Sequence, residues 1–170
     1  YEEVIKLFHN ENSIVVFREL FKLGLLKHLF SQTKENSFVT ASLINTSERI
    51  KNGNSVTPAF LFAVFLWSPL NKRLSQISKK NKSRIELMLE ASEYVIKQQT
   101  QQVMMPRWLS SRVKDVWLMQ YQLENYNPKK SKTLIRSPRF RMAYDFLVLR
   151  SKSLDKGLKV KAEYWTNIQK

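Results

Sequence analysis

Cysteine is absent from these 170 residues, which excludes disulfides and thiolate zinc sites and fits a reducing compartment. Glycine occurs three times and proline five times, so there are few places to break a helix, and strand-like alternation is scarce. Both point to an all-α chain folded as a compact multi-helix domain, with 43% hydrophobic residues to build its core. The only histidines, His9 and His28, have no carboxylate at ligand spacing. They read as packing or surface groups, and support neither a Ser-His-Asp triad nor a zinc site. The longest apolar run, Ala59 to Trp67, falls far short of the roughly 20 residues that a bilayer crossing needs, so it is read as a core helix with no membrane role. Acid is scarce too. Against 29 Lys and Arg stand 14 Asp and Glu, a net charge of +15, which points toward nucleic acid or an anionic membrane surface, with a polyanion as the expected partner. No signal peptide is visible, and the chain opens at Tyr1 already patterned as a helix. The expectation is a portion of a longer cytoplasmic protein.

Helical spacing organises the chain in order. Val4, Ile5 and Phe8 form a first stripe, and Asn12 or Ser13 caps a second helix with Ile14, Phe17, Leu20 and Phe21 on its face, ended by Gly24. Phe38, Ala41, Ile44 and Ile50 mark a third amphipathic segment stopping near Gly53. Thr57 and Pro58 give a cap-plus-proline start to the apolar run. Between Asn71 and Arg84 lie Lys72, Arg73, Lys79, Lys80, Lys82 and Arg84 with no acid, read as a solvated face and loop. Ser83 caps a long helix through Gln102 whose stripe is Ile85, Met88, Leu89, Val95 and Ile96. Val113, Val116, Trp117, Gln120 and Leu123 recur at helical spacing, which makes Trp117 a core residue, whereas Trp108 is placed in a loop before the cap, equally suited to packing or to stacking on a base. Asn127 to Lys132 is a turn leading into a short basic helix, and Leu158, Ala162, Trp165 and Ile168 form a last amphipathic helix.

The stretch Ser137 to Arg150, S-P-R-F-R-M-A-Y-D-F-L-V-L-R, ties these together. Ser137 is placed as its cap and Pro138 in its first turn. Phe140, Ala143, Tyr144 and Leu147 share one face while Met142, Phe146 and Leu149 occupy the other, so the helix is expected to be buried nearly all round. Arg141 and Asp145 are spaced to pair. Arg139 opposes the helix dipole and needs an anion nearby. With Arg136 and Arg141 it suggests an anion site at a helix N-terminus, and Arg139 and Arg150, about 20° apart around the axis, are expected to follow phosphates of one strand. Between Pro106 and Lys152 the basic candidates for RNA contact are Arg107, Arg112, Lys114, Lys129, Lys130, Lys132, Arg136, Arg139, Arg141 and Arg150, against Asp115, Glu124 and Asp145. The competing structural reading pairs these arginines with acids on neighbouring helices.

Four segments carry a resemblance. F-R-M-A-Y-D-F-L-V-L-R resembles F-R-A-A-Y-D-F-L-x-L-R of the bacterial poly(A) polymerases, within the tRNA nucleotidyltransferase and poly(A) polymerase superfamily. T-P-A-F-L-F-A-V-F-L-W-S-P-L is similar to their N-P-A-F-L-F-A-x-L-L-W-x-P, and L-G-L-L-K-H-L-F to the turn that ends their neck. M-P-R-W-L-S-S-R-V-K-D-V-W-L-M-Q resembles I-P-R-R-F-S-x-x-x-R-x-I-W-x-L-Q, with Arg107 and Arg112 matching and Trp108 in place of the second arginine. The resemblance implies the end of the neck in residues 1–31 and the RNA-binding body in residues 32–170. For the whole protein it implies addition of adenylates from ATP, with Mg²⁺, to single-stranded RNA 3′ ends, marking transcripts for decay, with RNA-decay proteins as further partners. The metal-binding carboxylates belong to a catalytic head, and no D-x-D or Gly-rich phosphate loop occurs here. This chain is therefore expected to hold RNA, to be inactive alone and to need no cofactor. The arginine-rich tail of many members is not present before Lys170. A tRNA CCA-adding enzyme is a rival within the superfamily that the C-terminal motifs disfavour; a helical protein-interaction module is a rival outside it.

Overall fold

The computed structural model describes residues 1–78 and 80–169. Lys79 of the basic run and the terminal Lys170 lie outside the described residues. Among these residues all regular structure is helical, as expected from the scarcity of glycine and proline. The helices are α1 (Glu2–Phe8), α2 (Ser13–Lys22), α3 (Leu26–Leu29), α4 (Ser37–Lys51), α5 (Pro58–Phe65), α6 (Trp67–Gln76), α7 (Arg84–Thr100), α8 (Arg107–Glu124), α9 (Pro128–Ile135), α10 (Phe140–Ser153) and α11 (Lys159–Asn167), the last preceded by a 3-10 turn at Lys156–Leu158.

α5 is the centre of the larger of two apolar clusters, and every residue from Ala59 to Trp67 is buried. A helix apolar on all sides needs partners on all sides. α4, α6, α8 and α10 pack against it, while Phe65 gathers Phe8 of α1, Phe17 of α2 and Phe30 just after α3 at ring separations of 5.0, 5.8 and 4.8 Å. The chain turns at Leu66, which leaves carbonyls at the end of α5 without helical partners. Two of them are met from elsewhere: Trp117 Nε1 donates to Ala63 O at 3.1 Å, and Thr33 Oγ1 donates to Phe65 O at 2.8 Å. Trp117 is thus core, and its indole N–H fastens α8 to α5.

α10 lies between the clusters. Phe146 faces the larger one, with edge-to-face contacts to Phe38, Phe60 and Trp67, while Phe140, Ala143 and Leu147 face the smaller one built on Leu123, Leu158, Ala162 and Trp165. Two-sided burial agrees with the apolar pattern, although Arg141 is exposed. The helix starts later than Ser137. Ser137 and Pro138 form a turn in which Ser137 Oγ accepts from Arg139 N and Ser137 O from Phe140 N, so the serine serves the turn rather than capping the helix. Thr57 likewise sits at the cap position of α5 without capping it; its hydroxyl bonds the sulfur of Met142 on α10.

Three apolar stripes are rotated from their expected phase. Phe21, Ile44, Ile85 and Leu89 are exposed. The buried face of α4 is Phe38, Val39, Ser42, Leu43 and Thr46, and that of α7 includes Ser92 and Gln99. Such polar residues enter the core because most are satisfied there: Thr46 and Ser92 donate to carbonyls four residues back, and Gln99 Nε2 donates to Leu29 O at 2.7 Å. Ser83 does cap α7, in a reciprocal pair with Glu86. The described part of the basic run is solvated apart from Arg73, whose guanidinium lies 4.2 Å from the ring centre of Tyr94.

Candidate nucleic-acid interface

Where the end of α4 and the loop after it face the first turns of α8 and the start of α10, they leave a cleft of about 670 Å³. Gly53, in the left-handed region at φ 71°, ends α4 so that the chain can turn back toward α5 and close one wall. The floor is apolar, with Val56, Phe60 and Met142. The rim carries Arg49 from α4, Trp108 and Arg112 from α8, and Arg139 and Arg141 from the α10 start.

The two acids in this cleft are both engaged. Asp115 takes Arg139 at 3.0 Å, and Asp145 takes Arg141 at 3.3 Å. Each arginine of these pairs is more than half exposed, so solvent screens the pairs and they are worth no more than about 1 kcal/mol each. Arg49 and Arg112 form no ion pair among the described residues, which leaves the rim with two uncompensated positive charges. Arg112 instead lies 5.7 Å from the ring centre of Trp108. Trp108 is in the first turn of α8, not in a loop before it, and is 45% exposed.

The predicted contact residues scatter. Arg112, Arg139 and Arg141 reach the cleft, whereas Arg107 and Lys114 on α8, Lys129, Lys130 and Lys132 on α9, and Arg136 at the end of α9 are not among its walls. Of the expected cluster Arg136, Arg139 and Arg141, only the last two line the cleft. The anion that Arg139 needs in its position is supplied by the carboxylate of Asp115. Arg150 corrects the sequence reading most sharply. Its side chain is 9% exposed, donates from Nη1 to Gln120 and Glu124 at 3.0 and 2.6 Å, and covers Trp67 at 4.5 Å from the ring centre. It does not share a solvent-facing flank with Arg139, because the face of α10 that it occupies is packed on α8. Arg49 was missed. No local pattern singles it out, since only the return of the chain at Gly53 brings the last turn of α4 beside α8 and α10.

Among the described residues, no three His, Cys, Asp or Glu side chains come together in a way that would hold a metal ion. No described helix is long and apolar enough to cross a membrane.

Comparison with known proteins gives the arrangement its context. Residues 1–36 match the family model described as "Probable RNA and SrmB-binding site of polymerase A". The chain is 26% identical to Poly(A) polymerase I of Salmonella typhi over 99% of its own length and 39% of that protein's, and 26% identical to Poly(A) polymerase I of Haemophilus influenzae over 99% and 40%. The corresponding protein of Escherichia coli O6:H1 is also 26% identical, over 89% of this chain and 35% of the relative. The chain thus spans about two fifths of the length of the curated relatives it matches. Residues 80–170, more than half of the chain and including α7 to α11, match the polymerase A arginine-rich C-terminus model, and the chain belongs to that poly(A) polymerase family.

Proposed function

We propose that this chain is the RNA-holding part of a poly(A) polymerase that transfers adenylates from ATP to RNA 3′ ends. The observation that carries the reading is the cleft: two arginines without carboxylate partners beside an exposed indole, in a chain of net charge +15. Phosphates supply the counter-charge, and the release of their condensed cations makes the affinity fall with salt, with a slope of log K against log salt of about 0.7 per contact for a single strand. Filter binding of single-stranded RNA across a salt series tests this. Steeply salt-dependent retention is expected; absent or salt-insensitive retention rejects it. Magnesium and ATP are assigned to carboxylates elsewhere in such a polymerase: this sequence has no D-x-D, and among the described residues no three acid or imidazole side chains gather, so the 170-residue chain alone is expected to leave a labelled RNA primer unextended in the presence of both. Incorporation above a no-protein control contradicts that assignment.

A second reading concerns the matched N-terminal stretch. Val15, Phe21, Leu23 and Leu25 are exposed on and just after α2, with Phe21 at 53% and Leu23 at 65%, a concentration of apolar surface that suits a protein partner. The description of the model matched there names SrmB as well as RNA. If that strip docks SrmB, Phe21→Asp abolishes binding of the purified protein and leaves RNA affinity unchanged. Unaltered binding of SrmB removes the strip from consideration.

A further inference from the structure

We propose that the cleft takes one unstacked base of the RNA strand against the indole of Trp108, with the adjoining phosphates held by Arg49 and Arg112. The inference rests on the RNA-holding reading and specifies what part of the strand the cleft receives. Trp67, Trp117 and Trp165 are buried, and the last two give their indole N–H to backbone carbonyls, at Ala63 and Leu123. Of the four, Trp108 alone presents its ring to solvent, at the mouth of the cleft, with the Tyr1 ring edge-to-face at 5.8 Å and the Arg112 guanidinium over the indole at 5.7 Å, so a base lies on the part of the ring that these two leave open. An exposed indole beside a guanidinium that has no carboxylate to hold it is matched by a ligand with a flat face and a negative charge. A nucleotide has both, and inorganic phosphate has only one.

The acids sharpen the assignment. Asp115 and Asp145 engage Arg139 and Arg141 and would repel a phosphate placed against them, so the strand's charge is directed to Arg49 on α4 and Arg112 on α8. Arg112 stands 5.7 Å from the Trp108 ring centre, close enough to reach a phosphate attached to a base lying on that ring. The volume of about 670 Å³ falls within the few hundred to about 1,000 Å³ of sites that enclose small organic ligands, far more than an ion needs. Because every base has a π-face, the subsite tolerates any sequence.

The burial of the other three tryptophans makes the test direct, since a base on Trp108 alters the emission of the one exposed indole. The 170-residue chain is titrated with an oligoadenylate of about ten nucleotides and with an abasic ribose-phosphate strand of the same length, following tryptophan emission and filter retention together. The oligoadenylate is expected to quench the emission, while the abasic strand binds about tenfold more weakly without quenching. Trp108→Leu removes the quenching and about tenfold of the oligoadenylate affinity, and leaves abasic affinity as it was. Trp108→Phe restores part of the loss. If the oligoadenylate is retained without quenching, or both strands bind alike, the base-stacking assignment is overturned and phosphate holding stands. If neither strand is retained, both the assignment and the RNA-holding reading fall.

Discussion

Arg150 carries its charge inside the protein, where its bonds to Gln120 and Glu124 and its contact with Trp67 join α10, α8 and the start of α6. An arginine so placed is a structural group. Removing it leaves Glu124, whose side chain is 28% exposed, without its cation and Gln120 without a donor. Because Glu124 keeps some access to water, the cost lies toward the lower end for a broken buried pair. Arg150→Ala is expected to lower unfolding free energy by about 3 kcal/mol, read from urea midpoints, and to leave the salt slope of RNA binding where it was. A changed slope with unchanged stability contradicts the assignment. His9 makes a second residue-scale case. It is half-buried at the end of α1, its Nε2 has no hydrogen-bond partner, and burial holds its pKa below the ordinary histidine value. Well above pH about 6.5 the ring is neutral in both folded and unfolded chains and has no effect. As the pH falls through that value the unfolded chain takes up the proton first, so stability declines toward the depressed folded pKa. His9→Gln is expected to flatten the fall in urea midpoint between about pH 7.5 and about pH 5.5; an equally steep fall in the variant excludes His9 as its source.

At the scale of elements, α5 shows how a helix with no polar face is accommodated. Its neighbours cover it on every side, and side chains from α8 and the loop before α4 bond its terminal carbonyls. Phe65 holds α1, α2 and α3 against this helix through rings that touch one another only partly. Phe65→Ala opens a cavity that three short helices cannot fill by shifting together, and is expected to cost about 3–5 kcal/mol in urea unfolding. Amide exchange in α1 to α3 accelerates at the same time. Loss confined to α8, with the first three helices still protected, contradicts this account of their docking. Helix identity was largely legible from spacing, caps and glycine, but helix rotation was not. Ile44, Ile85 and Leu89 are outside while Thr46 and Ser92 are inside, because a hydroxyl that donates to its own helix backbone buries at little cost and lets the neighbouring helix approach.

For the whole molecule, the net charge of +15 is spread over many helices, and the cleft gathers only part of it. Arg49 and Arg112, from α4 and α8, are the two rim arginines with no acid to satisfy them among the described residues. Replacing both by Ala is expected to weaken single-stranded RNA binding about equally across sequences and to flatten the salt slope by about 0.7 per lost contact. An unchanged slope in filter binding moves the RNA path away from the cleft, toward the exposed lysines of α9. Composition alone determined that this chain is helical, that it is basic and that it brings no thiol chemistry, because those properties depend on how many residues of each type there are. The four motif segments likewise carried the family, since short-range residue order is what such segments preserve. Which cations remain available was decided only in three dimensions. Asp115 is 24 residues before Arg139, Glu124 is 26 before Arg150, and Arg49 meets Arg112 across a cleft that no helical period encodes. A charge is neutralised or left free by whatever carboxylate folding carries to within about 4 Å of it, and that distance is fixed by packing between helices far apart in the chain.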